Sequence, residues 1–305
     1  MTDPIPVIFN TGAGAAGSAD DETLRAAFAR RNLTVDVRAL TSGQDLDAAL
    51  DEVFASNPRC VVAAGGDGTV NAVAARLTEH PHARLGVLPL GTLNHFARDL
   101  GIPLELDDAV QTIADDHAVA VDVGEVNGQP FLNNASIGLY ATMLAHREHT
   151  RRQLGLGKWP AMARAIWVAL RDPASFDIAL DADGRRQHWH TPFLFVGNNA
   201  YTLQGPALGQ RERLDAGLLS IHVLRPMSRW GLLWLGLRAM VGAASGQRDL
   251  ATQHVIALDV TAARERVRVA RDGEVADFAA PLRFRIRPGA LRVCVPRRPA
   301  DAEHA

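Results

Sequence analysis

The period of the hydrophobic pattern changes along the chain. Residues 5–10 (IPVIFN) are a short apolar run bounded by turn formers, which predicts a buried strand. Leu24, Ala27 and Phe28 then recur at helical spacing within 20–31. Residues 33–40 alternate like a strand, 44–55 are helical again, and 59–65 (RCVVAAG) form a short run rich in β-branched residues. Helical signals at 69–78, 92–99 and 105–115 enclose a further strand at 84–90. Strands alternating with helices of this length predict a parallel sheet covered on both faces. This doubly wound α/β domain is expected over residues 1–122.

From about residue 118 the texture is that of successive strands: AVAVDVGEV, QPFLNNASIG, SFDIALDAD, HTPFLFVGN, GLLSIHVL, HVIALDVTA, ERVRVARDG, PLRFRIRPG and LRVCVP. Gly, Asn, Pro and Asp turns separate them, which predicts a β-sandwich over 123–297. Helical stretches around 138–171 and 228–244 interrupt it, and a disordered tail is expected at 298–305. The fold class is therefore α/β, with the N-terminal domain followed by the sandwich and the active site expected in the cleft between them.

Composition narrows the function. The chain has 305 residues, 47% apolar and 22% charged, with a formal net charge of -2. Nothing in that balance demands a nucleic-acid partner. Two distant cysteines, Cys60 and Cys294, offer neither metal spacing nor a disulfide framework, as expected in a reducing compartment. No basic leader and no run of 18 apolar residues occurs, so a cytoplasmic location is expected. Lys158 is the one lysine among 32 basic residues, and its surroundings (LGLGKWPA) are not a Walker A loop. Phosphate handling would fall to loop amides, helix N-termini, arginines or a metal.

Gly65-Gly66-Asp67-Gly68-Thr69 joins a strand to a helix. Glycines let the backbone turn sharply and approach a ligand, and the helix start offers unpaired N–H groups. A carboxylate at Asp67 repels a bare phosphate but suits one bridged by a divalent cation. Pro89-Leu90-Gly91-Thr92-Leu93-Asn94 is a second strand-to-helix loop, and Asn10–Ser18 a third. All three are expected at the carboxyl edge of the sheet, where such sheets bind ligands.

Together these residues resemble the diacylglycerol-kinase catalytic-domain family, in particular its soluble bacterial lipid kinases. The resemblance rests on FNTGAGAAGS at 9–18, GGDGTVNA at 65–72, PLGTLNHFA at 89–97, Asp122 in VDVG, DAGLL at 215–219 and Asp272-Gly273-Glu274, in the family's order over residues 5–297. It implies an ATP-dependent kinase of a lipid hydroxyl, by default that of diacylglycerol, with Mg2+ as cofactor. It implies nucleotide contacts at Asn10, Thr41, Gly65, Gly66, Asp67, Gly68, Thr69, Asn71, Gly91, Thr92 and Asn94. Glu274 is implied as general base, with Asp67 and Asp122 as further catalytic carboxylates and Asp67 and Asp215 as metal ligands. Three departures stand out: His95 replaces an Asp, Ala72 a Glu, and Ala216 an Asp of the segment that holds an accessory magnesium in some members.

A membrane-resident acceptor calls for an amphipathic approach surface. Trp230, Leu233, Trp234 and Leu237 follow helical spacing beside Arg229 and Arg238, as do Trp159, Ile166, Trp167 and Leu170 beside Lys158, Arg164 and Arg171. Peripheral contact with the inner membrane face fits this pattern, and so does packing of both stripes on the sandwich. His146, His149, His188 and His190 read as surface residues without an acidic partner pattern. A kinase of a soluble acceptor, NAD-kinase-like, and a nucleotide-binding regulatory protein without turnover are the competing readings. The sequence is silent on oligomeric state.

Overall fold

The structure, a computed structural model, describes residues 3–12, 20–41, 46–138, 141–142, 144, 176–201, 210–228, 230–231 and 250–297. They fall into two compact units, one of residues up to Val123 together with those from Gly289 onward, the other Gly124–Pro288.

The first unit is built on parallel strands β1 (Ile5–Asn10), β2 (Val35–Leu40), β3 (Cys60–Gly65) and β4 (Arg84–Pro89), in the order β2-β1-β3-β4. Helices α1 (Asp21–Ala29), α2 (Leu46–Ala55), α3 (Asp67–Leu77), α4 (His95–Asp99) and α5 (Leu106–Ala114) connect or follow them. Val7, Ile8 and Phe9 of β1 and Val61 to Ala64 of β3 are all buried. Consecutive burial along a strand requires cover on both faces, because neighbouring side chains point opposite ways. One cover packs Leu24, Ala27 and Phe28 of α1 and Val110 and Ile113 of α5 against Val7, Phe9, Val62 and Leu88. Asp20 starts α1 by accepting the Thr23 amide at 2.7 Å, and its bonds with Thr23, through the side chain first and the amide second, hold its carboxyl below the usual aspartate value.

The compact units divide the chain differently from the expected bounds of 1–122 and 123–297. β16 (Leu282–Cys294) is one strand where the sequence reads as two, and its residues from Gly289 onward fall in the first unit. Arg292 and Val293 pair in parallel with Arg84 and Leu85, so the chain's end completes the sheet beside β4. This also brings the two cysteines together. Cys60 and Cys294 are free thiols: the Cys294 thiol, with burial, pushes the Cys60 thiol up, whereas Cys60 lowers Cys294 against the effect of burial.

The second unit is a sandwich. Its antiparallel six-stranded sheet runs β12 (Leu250–Val255), β11 (Leu219–Leu224), β10 (Phe193–Asn198), β7 (Asn134–Gly138), β14 (Arg266–Arg271), β15 (Glu274–Ala279). The facing sheet runs β9 (Arg185–Thr191), β8 (Phe176–Ala182), β13 (Ala257–Ala262) and the first part of β16. Ile137, Leu194, Val196, Ile221 and Val269 of one sheet meet Ile178, Leu180, Leu258, Val260 and Phe284 of the other. β5 (Ala118–Val126) leads into this unit and pairs with β6 (Gln129–Phe131). Three hairpins turn on Asn127-Gly128, Asp183-Gly184 and Asp272-Gly273, all at positive φ, as two-residue type I′ turns require.

The expected strands HTPFLFVGN and HVIALDVTA each straddle a break. β10 begins only at Phe193, and Ile256 separates β12 from β13. β9 and β15 are additional strands. Apart from residues 138, 141–142, 144, 228 and 230–231, the helical stretches expected at 138–171 and 228–244, with all their tryptophans except Trp230, lie outside the described residues, as does the tail at 298–305. Trp230 is 68% exposed.

Candidate phosphate-loop site

β1 is followed in space by β2 on one side and β3 on the other, so the sheet reverses its strand order between β1 and β3. Loops leaving the carboxyl ends of two such strands part company and open a crevice, the usual ligand position in doubly wound sheets. The segments at this edge are the glycine-rich ones. Asn10 ends β1, and its Nδ2 donates to Thr69 Oγ1 at 3.3 Å while its Oδ1 accepts the Gly12 amide at 3.0 Å. Thr11 donates both its amide and its hydroxyl to Leu40 O, which ties the end of β1 to the end of β2 next to Thr41.

The loops after β3 and β4 touch through glycine backbones. A Cβ on Gly91 would stand 2.4 Å from the Gly66 Cα and 2.6 Å from Asn94 Oδ1. A Cβ on Gly65 would stand 2.6 Å from Thr69 Oγ1. Leu90 N donates to Gly65 O at 3.0 Å, which closes the junction. Gly66 is the N-cap of α3, and the first intrahelical bond runs from Val70 N to Gly66 O. The amides of Asp67, Gly68 and Thr69 precede that bond and point out of the helix end, where the helix dipole favours an anion. No described residue outside its own helix turn lies within 4 Å of a Cβ on Gly68, so among the described residues space is open beside these amides.

Asn94, expected at the nucleotide, is occupied within its own loop. It is buried at positive φ, its Oδ1 accepts the Gly91 amide, and its Nδ2 donates to Pro89 O and Gly91 O. It shapes the loop and leaves the exposed Thr92 and Leu93 at the tip. Asn71, in the second turn of α3, is the opposite case: its Oδ1 is buried and has no hydrogen-bond partner among the described residues. His95 is exposed at the start of α4. Asp122 is 2% exposed on β5, and its Oδ1 accepts the amide of Gly289, a residue at φ +60, at 2.9 Å. That bond fixes the return of β16, a structural duty for a carboxylate expected at the metal or the acceptor.

The remaining expected residues lie in the second unit. Glu274 opens β15 opposite Arg271, at the tip of the β14–β15 hairpin. It is exposed, and its carboxylate makes no hydrogen bond or ion pair with any described residue. Asp215 is engaged by Arg213, Nε to Oδ1 at 2.9 Å and Nη2 to Oδ2 at 3.2 Å. With Ala216 in place of a second carboxylate, this donor set does not fit a metal. Among the described residues no group of three or more His, Cys, Asp and Glu gathers to hold one. Asp67 does fit magnesium, which typically takes one or two carboxylates and fills its shell with water and phosphate oxygens. His188 and His190 are exposed as expected, but His190 has an acidic partner, Asp177, 2.8 Å away across the β8–β9 pair.

A buried polar network at the hairpin has no counterpart in the sequence reading. Arg211, 4% exposed, donates to Leu132 O, Asn198 O and Asn133 Oδ1 and lies over the Tyr201 ring. Asp272 accepts the consecutive amides of Leu132, Asn133 and Asn134 at 2.7, 2.8 and 3.0 Å. Burial pushes the Asp272 carboxyl above the usual aspartate value, while the three amides and Arg211 pull the other way. The Asp-Gly pair signalled the turn. Nothing in the sequence signalled Arg211.

A sheet with a switch point lined by paired glycine loops is the architecture of a phosphate-binding α/β enzyme, and the chain belongs to the diacylglycerol kinase catalytic-domain family, a family of kinases. The match to that domain covers residues 4–126, and a match to the YegS C-terminal NAD kinase beta sandwich-like domain covers 134–295. A Pseudomonas aeruginosa (strain PAO1) protein named "Probable lipid kinase YegS-like" is 34% identical over 290 residues, 91% of each chain. A protein of the same name from Pseudomonas syringae pv. syringae is 31% identical, covering 86% of this chain and 84% of its own. In fold, the chain is similar to a crystal structure from Bacillus anthracis described as "a putative diacylglycerol kinase", with a TM-score of 0.74 at 23% identity over 97% of this chain and 96% of that one.

Proposed function

We propose that this protein transfers the γ-phosphoryl group of ATP to the hydroxyl of a lipid, with diacylglycerol or a related glycerolipid as default acceptor. The observation that carries the reading is the contact between Gly66 and Gly91, which merges two strand-to-helix loops into one floor at the head of α3. The names of the Pseudomonas relatives support a lipid acceptor. In this reading the amides of Asp67, Gly68 and Thr69 receive phosphate oxygens, and the open space at Gly68 admits them. The orphaned Asn71 Oδ1 gains a donor from a ribose hydroxyl, an adenine amine or an ordered water. An unsatisfied buried acceptor costs about 1–3 kcal/mol, so a ligand that pairs with it gains affinity.

Asp67 would hold Mg2+, which when bound neutralises charge on the transferred phosphoryl group. Glu274 is the general base. Its carboxylate takes the proton of the lipid hydroxyl as the oxygen forms its bond to the γ-phosphorus, and the bond from that phosphorus to the β-bridging oxygen breaks to release ADP. A carboxylate with no internal partner is available for this task. Peripheral association with a membrane surface, on the cytoplasmic side, follows from the acceptor. Among the described residues no helix is long and apolar enough to cross a membrane.

The test is incubation with labelled ATP, magnesium and a total lipid extract, followed by identification of the labelled product. A labelled phospholipid that appears only with active protein is expected. Label on soluble acceptors alone would establish the NAD-kinase-like alternative. ATP binding with no transfer to any acceptor would establish the regulatory one.

A further inference from the structure

The turn before Glu274 is held from outside its own hairpin. Asp272 and Gly273 form a two-residue turn with φ +49 and +89, between the last cross-strand pair Arg271–Glu274. Such a turn fixes the backbone but leaves the hairpin end to swing with the ladder behind it. Here the Asp272 carboxylate sits in a nest of three consecutive N–H groups, those of Leu132, Asn133 and Asn134, and the Asp272 amide returns a bond of 2.9 Å to Asn134 O. Successive backbone amides converging on one anion are a strong, geometrically exacting arrangement. The nest is itself fixed from the far side. Arg211 holds Leu132 O and Asn133 Oδ1, Asn198 donates from its side chain to Leu132 O and from its backbone to Asn133 O, and Tyr201 donates to Asn133 O.

We infer that Asp272 is the positioning residue for Glu274: its carboxylate, seated in the 132–134 amide nest, sets where the catalytic carboxylate two residues later stands. This rests on the general-base reading of Glu274. Asp272 does not touch substrate in this scheme, since its oxygens are committed to backbone amides. Its effect passes to the reaction through Glu274 alone, and a base displaced by about 1 Å can cost roughly 10²-fold in rate.

A double-mutant cycle on the full chain tests it. Glu274→Gln, Asp272→Ala and the pair are assayed for lipid phosphorylation, with ATP affinity and thermal unfolding as controls. Asp272→Ala should lower kcat by about 10–100-fold and leave the KM for ATP within about twofold. In the Glu274→Gln background the same substitution should cost less than about threefold, because residues that act as a unit are non-additive. Asp272→Asn keeps an acceptor for Asn133 and Asn134 but sets a donor against the Leu132 amide, so it should fall between wild type and Asp272→Ala. It carries the same cycle if the alanine variant does not fold. Multiplying losses in the double variant, or a wild-type rate for folded Asp272→Ala, would overturn the positioning role and leave Glu274 as base. A wild-type rate for Glu274→Gln would instead remove the base assignment itself, and the inference with it.

Discussion

Gly66 and Gly91 meet backbone to backbone: a methyl group on Gly91 would lie 2.4 Å from the Gly66 Cα, well inside contact distance. Gly91→Ala must therefore push the two loops apart, and it also strikes the Asn94 oxygen that shapes its own loop. Nucleotide affinity should fall by at least about tenfold, and stability by about 1–3 kcal/mol, the usual cost of overpacking. Isothermal titration with ATP and a urea unfolding series measure the two separately.

Gly68 offers the complementary experiment. With nothing within 4 Å of its missing Cβ among the described residues and no positive φ, Gly68→Ala meets no obstacle from them. Alanine in the first turn of α3 should raise stability by about 0.4–1 kcal/mol. If phosphates fill the open space, the same methyl group should weaken ATP binding. A variant that gains stability and keeps full affinity would remove this loop from the phosphate site.

Glu274→Gln should reduce turnover by roughly 10²–10⁴-fold, the scale of losing a general base. Its carboxylate has no partner among the described residues, so the unfolding midpoint should stay within about 0.5 kcal/mol of wild type. Steady-state kinetics on lipid vesicles beside a thermal melt make the comparison.

Asp67→Asn should abolish the gain in nucleotide affinity that magnesium brings. Binding of ATP measured with and without magnesium should differ by about tenfold or more in the wild type and by little in the variant. An unchanged magnesium dependence would take Asp67 out of the metal site.

His222 should lower stability in acid. It is 2% exposed on β11, with Nδ1 2.9 Å from Thr252 Oγ1 and Nε2 without a partner among the described residues. Burial, and secondarily the neighbouring His254, lower its pKa to about 4. Unfolded, it takes a proton near pH 6.5. Between those values the unfolded chain binds more protons, so stability falls as pH drops from about 6.5 to about 4 and levels off below. The full loss is on the order of 3 kcal/mol. Urea midpoints at pH 7 and pH 4.5 should converge for His222→Phe relative to wild type; equal acid sensitivity would assign the loss to other groups.

The strands that the hydrophobic pattern missed or ran into a neighbour include three at sheet edges, β9, β12 and β15. An edge strand packs less of its surface and is kept from pairing with other chains by charged and polar residues, so RRQHWHT and EVADFA lose the apolar alternation that marks a strand. The inner strands β1, β3 and β4 were legible because burial on both faces makes them continuously apolar. At the site, glycine loops could be read because steric demand for glycine is local. The engagements of Asp122 with Gly289, Asn94 with its own loop and Asp272 with the 132–134 amides could not. Except for Asn94, each joins segments more than a hundred residues apart, and a carboxylate on a strand or turn looks the same in sequence whether it holds a metal or a backbone amide.

The return of residues 289–295 to the first unit has a consequence for synthesis. As the chain emerges from the ribosome, β4 appears well before β16, the strand that pairs with it. Until then β4 presents an unpaired parallel edge, a sticky surface for other nascent chains. The first unit is thus begun well before it can be closed, and a fragment ending at Val123, which lacks that strand, should aggregate where residues 1–305 fold.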